Sequence, residues 1–230
     1  MGNVKGLLFD FNGTLFFDSE YHIEAFFECY KKYGLAVPDQ KFVVENLFGR
    51  TNEAIFLNHY KPGATKEEIT KFEQLKESMY MEKCKSSPER LKLCDGAAEI
   101  LDYLKEHSIP FCIATGSPLE NVNFYFEYLD LGRWFTLDNI VYCDGSFAGK
   151  PAPDIYELAA KRLGLDCSEC AVFEDGTSGM RSANAARAAR VIGVWEQGLP
   201  SPLSDGVRVD AVYHDLSNWR EILRSIGLLK

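Results

Sequence analysis

From Val4 onward the chain mixes short, wholly apolar runs with longer stretches whose apolar positions recur every three or four residues. Val4–Phe9, interrupted only by Lys5 and Gly6, reads as a strand buried on both faces. Phe111–Ala114, Ile140–Tyr142, Ala171–Phe173 and Val191–Trp195 read the same way, and Ala211–Tyr213 as a last edge strand. Helical spacing fills the gaps over Gly96–His107, Pro118–Leu129, Asp154–Leu163, Met180–Ala189 and Leu216–Ile226. Strands alternating with helices predict a parallel α/β sheet. The region after Asp18 departs from that alternation. Ile23, Phe26, Phe27 and Tyr30 line one face of a helix over Glu20–Tyr33, which Gly34 closes. Pro38–Phe48, Thr51–Tyr60 and Thr65–Cys84 give three more helical stretches, the last opening on Thr65 and Glu68 in capping-box order. The predicted organisation is a discontinuous α/β core, residues 1–16 and 89–230, with an all-helical insert over 17–88.

Composition adds little to that picture and removes several functions. A chain of 230 residues with 46% hydrophobic and 26% charged positions suits an ordinary globular protein with a large core. The balance of 25 basic against 34 acidic residues argues against nucleic acid or an anionic membrane surface as partner. No run is long enough to span a bilayer, and the N-terminus carries no signal-peptide pattern. Seven scattered cysteines, mostly in apolar surroundings, suggest reduced thiols and a cytoplasmic setting. Cys167 and Cys170 form a CxxC without a second pair or a nearby His to complete a zinc site.

The candidate chemistry sits where apolar runs stop. In a parallel sheet, ligands bind beyond the carboxyl ends of the strands. Asp10 ends the first run, and Gly13-Thr14 turns the chain just past it. Thr115 ends another run and is followed by Gly116 and Ser117, small enough for backbone N–H groups to approach an anion before a helix begins. Lys150 stands in the proline-rich loop Gly149-Lys150-Pro151-Ala152-Pro153-Asp154. Glu174 and Asp175 end a fourth run, and two adjacent carboxylates there call for a cation between them.

Asp10-Phe11-Asn12-Gly13-Thr14-Leu15, Thr115, Lys150 and Glu174-Asp175 resemble, in order, the four motifs of the haloacid dehalogenase superfamily. The resemblance implies a three-layer Rossmann-like parallel sheet core with an all-helical type-one cap inserted after the first strand. It also implies a phosphohydrolase acting on a small phosphorylated metabolite through an aspartyl-phosphate intermediate. Asp10 is then the nucleophile, and Thr115, Lys150, Gly116 and Ser117 handle the phosphoryl group. Mg²⁺ is held by Asp10, the backbone carbonyl of Asn12, Asp175 directly and Glu174 through water. Within the superfamily the Gly149–Asp154 string and the Glu20-Tyr21-His22 order resemble the beta-phosphoglucomutase and sugar-phosphate phosphatase branch. His22 and Arg50, in the cap, would then meet substrate, Arg50 by gripping a second anionic group. His22 reads equally well as a packed helix residue, and the mutase's arginine falls where this chain has Asn52, which disfavours a mutase. Hinges near Phe17 and Pro88 would let the cap close.

The chain departs from the family at one place. Asn12 stands where the family has a second Asp that shuttles protons. A carboxamide donates and accepts hydrogen bonds but does not exchange protons in the working range, so Asn12 predicts slow turnover on alkyl phosphates. Three readings follow: a phosphatase for good leaving groups such as acyl or pyrophosphoryl groups, a phosphate-binding or regulatory non-enzyme, or an engineered trapping variant. A phosphonatase would need a cap lysine, for which Lys31, Lys32 and Lys41 offer no distinguishing context. Monomer and homodimer are both open on the sequence.

Overall fold

The computed structural model describes residues 4–48 and 50–229, and its chain divides into two compact units. One holds the chain up to Phe17 and from Lys92 onward; the other spans Asp18–Leu91. The first is built on strands β1 (Gly6–Phe9), β2 (Phe111–Ala114), β3 (Ile140–Val141), β4 (Cys170–Glu174), β5 (Arg190–Val194) and β6 (Ala211–Tyr213). They form one sheet in the order β3-β2-β1-β4-β5-β6, every pair parallel. The α/β fold read from the sequence is therefore the fold observed, and Asp10 follows a central strand.

Successive side chains of a strand point to opposite faces. Leu8, Cys112, Cys170, Val172 and Val191 share one core cluster with Ile155, Tyr156, Ala159, Met180 and Ala183. The alternate residues Leu7, Phe9, Ile113, Ala171 and Phe173 are buried as well. Burial on both faces is why these strands read as unbroken apolar runs rather than alternating ones.

The second unit holds helices and no strand among its described residues. It holds α1 (Ser19–Lys32), α2 (Gln40–Asn46), α3 (Asn52–Ile55), which continues as a π turn over Phe56–Tyr60, and α4 (Lys66–Ser86). Its own core gathers Ile23, Phe26, Cys29 and Tyr30 of α1 with Val43, Ile55, Phe56, Ile69 and Phe72. The starts are set by side chains: Asp39 accepts from Phe42 N–H, Thr51 from Ala54 N–H, and Thr65 and Glu68 close a reciprocal capping box. Each cap satisfies an amide that the first helical turn leaves without a partner.

The remaining helices are α5 (Ala97–Glu106), α6 (Leu119–Tyr128), α7 (Asp154–Arg162), α8 (Thr177–Ala185) and α9 (Trp219–Ser225). The alanine-rich stretch corrects the helix expected over Met180–Ala189. α8 starts earlier, because β4 ends at Glu174 and Gly176 serves at once as its N-terminal flank. It stops earlier because the chain must reverse into β5. Arg187 takes a left-handed φ of 59° and Ala188 N–H bonds back to Ala183, so a required reversal overrides helix propensity. No helix among the described residues is long and apolar enough to cross a membrane. The seven cysteines are free, six of them buried and Cys143 exposed. Burial pushes the Cys167 and Cys170 thiols up to about 12, leaving them protonated and inert.

Candidate active site

β1 lies between β2 and β4, with Phe9 opposite Ile113 on one side and Phe173 on the other. The residues that follow these strands are thereby brought to one edge of the sheet. Asp10 N–H donates to Phe173 C=O at 2.9 Å, and Thr115 N–H donates to Val141 C=O at 2.9 Å. These ladder bonds fix the backbone of Asp10 and Thr115 as extensions of the strands. Asp10, Thr115 and Glu174-Asp175, distant in sequence, are thus assembled by parallel register, and the loop after β3 brings Lys150 to Asp10.

Lys150 is the electrostatic centre. Its Nζ donates to Asp10 Oδ1 at 2.5 Å and to Glu174 Oε1 at 2.6 Å. Glu174 is buried, and its Oε1 also accepts from Tyr156 Oη at 2.6 Å while Oε2 accepts from Gly176 N–H at 3.1 Å. Burial works against the Lys150 charge, but the Asp10 and Glu174 carboxylates outweigh it and raise its pKa above the ordinary lysine value. Burial, followed by the charge of Glu174, holds the Tyr156 phenol well above its usual range, so it stays protonated and donating. Removing one partner of such a buried pair leaves a charge with no compensation. Lys150→Met should therefore lower stability by about 3–5 kcal/mol in metal-free buffer. Urea melts of the two proteins in chelator check this, and coincident midpoints would contradict the assigned geometry.

Two glycines make room for these acids. Gly13 has a φ of 77°, and a Cβ there would come 2.1 Å from Asp175 Oδ2. A Cβ on Gly179 would come 1.7 Å from Glu174 Oε1. At both positions only glycine lets a neighbouring carboxylate keep its place.

Asn12 is held by hydroxyls. Its Nδ2 donates to Tyr125 Oη at 2.8 Å, while its Oδ1 accepts from Ser117 Oγ at 2.8 Å and from Thr115 Oγ1 at 3.3 Å. Ser117 N–H turns inward to Thr115 Oγ1 at 3.1 Å rather than outward to solvent. A Cβ on Gly116 would meet nothing within 4 Å, so its backbone borders open space. Of the expected site residues, Asp10, Asn12, Thr115, Gly116, Ser117, Lys150, Glu174 and Asp175 fall in the sheet unit. His22 and Arg50 belong to the helical unit. There the His22 ring stacks on Tyr80 at 4.2 Å, and its Nε2 lies 3.3 Å from Asp18 Oδ2, which also accepts from Tyr80 Oη. Arg50 is exposed, and its neighbour Gly49 lies outside the described residues.

Asp10, Glu174 and Asp175 each offer a carboxylate oxygen, and these oxygens lie within 4.8 Å of one another. An all-oxygen set of this kind suits a hard divalent cation such as Mg²⁺. Glu174 already accepts from Lys150, Tyr156 and Gly176, and Asp10 from Lys150. Sequence reasoning overlooked Tyr125, Tyr156 and Gly179. Each resembles ordinary core in the sequence, since two are aromatics on apolar helix faces and the third is a glycine inside a helix.

Comparison with known proteins is consistent with this arrangement. The family model for haloacid dehalogenase-like hydrolases matches residues 4–187. The fructose-1-phosphate phosphatase YqaB of Escherichia coli is 30% identical over 188 residues, 79% of this chain and 92% of its own. A crystal structure of a haloacid dehalogenase hydrolase, family IA, variant 3, from Entamoeba histolytica superposes with a TM-score of 0.85 at 35% identity, covering 98% of this chain and 99% of that one. A mutant CbbY from Rhodobacter sphaeroides, solved in complex with xylulose-(1,5)bisphosphate, gives a TM-score of 0.77 at 25% identity over 93% and 95% of the two chains.

Proposed function

The chain belongs to the haloacid dehalogenase-like hydrolases, and from that membership we propose a Mg²⁺-dependent phosphatase of small phosphorylated sugars or related metabolites whose nucleophile is Asp10. The observation that carries this reading is the Asp10 carboxylate, fixed at the end of a central strand with the Lys150 ammonium 2.5 Å away. One Asp10 oxygen attacks phosphorus, the bond from phosphorus to the leaving oxygen breaks, and that oxygen departs with the electron pair. Water then cleaves the acyl phosphate, releasing inorganic phosphate and restoring the carboxylate. Lys150 stays charged throughout and offsets the negative charge that builds up on the phosphoryl oxygens. Thr115, Gly116 and Ser117 border the phosphoryl group. Bound Mg²⁺, held by Asp10 and Asp175 with the backbone carbonyl of Asn12 and support from Glu174, would neutralise phosphoryl charge.

Asn12 decides the rate. An alkoxide leaving group needs a proton, and the later water needs a base. The carboxamide supplies hydrogen bonds to both and a proton to neither. The reading is therefore a phosphatase with weak turnover on alkyl phosphates, and the names of its relatives direct attention to ketose phosphates. The test is phosphate release from a panel containing fructose 1-phosphate, glucose 6-phosphate and p-nitrophenyl phosphate, with Mg²⁺ and with chelator. Expected are measurable release with Mg²⁺, fastest on the aryl ester, and loss of it on chelation that added Mg²⁺ reverses. Release that ignores chelator would refute the metal assignment.

A further inference from the structure

We propose that Tyr156 is a positioning residue: its hydroxyl fixes the Glu174 carboxylate, and through it the place where the Lys150 ammonium stands beside Asp10. Three donors meet at Glu174. Its Oε1 accepts from Lys150 Nζ and from Tyr156 Oη, each at 2.6 Å, and its Oε2 accepts from Gly176 N–H at 3.1 Å. The direction of the Tyr156 bond is unambiguous, because burial and the charge of Glu174 keep the phenol protonated and the carboxylate oxygen only accepts. Glu174 is buried, so protein donors rather than bulk water orient its carboxylate.

The two side-chain donors differ in stiffness. Lys150 reaches Glu174 on a flexible aliphatic stem. The Tyr156 side chain turns about fewer bonds, and its ring is buried in the core cluster that includes Ile155, Ala159 and Met180. Its backbone is pinned as well: Tyr156 N–H donates to Pro153 C=O at 3.1 Å, and Ser182 Oγ of α8 donates to Ala152 C=O at 2.6 Å. The short segment from Lys150 to Tyr156 therefore delivers a flexible cation and a rigid hydroxyl to one and the same oxygen. The rigid donor sets where that oxygen lies, and the ammonium follows it. The Tyr156 ring adds a second hold, its centroid lying 5.2 Å from Lys150 Nζ, within reach of a cation–π contact. The placement of Lys150 stands on these contacts alone, while its effect on turnover rests on the function proposed above.

The test is Tyr156→Phe, which keeps the buried ring and deletes one oxygen. Two measurements are made on the intact protein with Mg²⁺. Solvent exchange of the Lys150 ammonium protons, followed by ¹⁵N-resolved NMR, should accelerate about tenfold in the variant, the equivalent of one hydrogen bond. Turnover of p-nitrophenyl phosphate should fall about tenfold in kcat with KM unchanged within about twofold. Tyr156→4-aminophenylalanine, which returns an N–H donor to the same ring position, should recover most of both losses. Unchanged Lys150 exchange in the folded Phe variant, a fall in stability with kcat intact, or failure of the rescue would overturn the proposal. Wild type offers a check that needs no variant to fold: its Tyr156 hydroxyl proton should resolve as a slowly exchanging signal with Overhauser contacts to the Lys150 side chain, and a rapidly exchanging hydroxyl would sink the assignment. If wild type releases no phosphate, the proposed function fails, and the exchange measurements alone still decide the placement.

Discussion

Asp10→Asn abolishes phosphate release, with kcat falling on the order of 10⁴-fold or more, as expected when a covalent nucleophile is lost. The substitution is close to isosteric, so the effect is chemical. Asp10 is 6% exposed, its backbone is tied to Phe173, and its side chain sits against Lys150. An amide oxygen in that place keeps the shape and loses the anionic charge that attacks phosphorus. Lys150 keeps Glu174 as a partner, so the fold should survive. The assay is initial-rate phosphate release with Mg²⁺, backed by mass spectrometry of acid-quenched enzyme. Wild type should carry a phosphoryl adduct on the peptide containing Asp10, and the variant should carry none. Turnover within about tenfold of wild type would refute the assignment, whatever the adduct shows.

Asn12→Asp raises turnover on alkyl phosphates by about 10²-fold or more, the usual contribution of a general acid and base. The size of the gain should depend on the leaving group. A hexose phosphate, whose alcohol departs poorly without a proton, should gain most. p-Nitrophenyl phosphate should gain less in the first step and reveal the second, where water attacks the acyl phosphate. A substrate series assayed on both proteins separates these steps. Flat profiles for both proteins would point instead to phosphate binding without turnover.

Much of this architecture was legible because burial leaves a plain mark in a parallel sheet. β2 was read to the residue, since Phe111–Ala114 is apolar throughout and flanked by polar or turn-forming positions. Strand ends followed, and with them Asp10, Thr115 and Glu174-Asp175. Less visible was anything acting across the sheet rather than along it. Tyr125 and Tyr156 look like any aromatic on a buried helix face, and only the fold brings their hydroxyls to Asn12 and Glu174. Gly179 hides in a helix, where glycine normally weakens structure and carries no hint of a carboxylate beside it. The end of α8 was misplaced for a related reason. Alanine propensity is local, whereas the reversal at Arg187 is imposed by where β5 must begin.

The strand order has a consequence for biosynthesis. β1 leaves the ribosome before the other strands of its sheet, yet it lies between two of them, Leu7 standing between Phe111 and Ala171. Those partners emerge only after the whole helical unit. The apolar β1 run is therefore unpaired while the helical unit is being made, the kind of exposure that invites chaperones and aggregation. Asp10 is therefore made well before the strands that will flank β1.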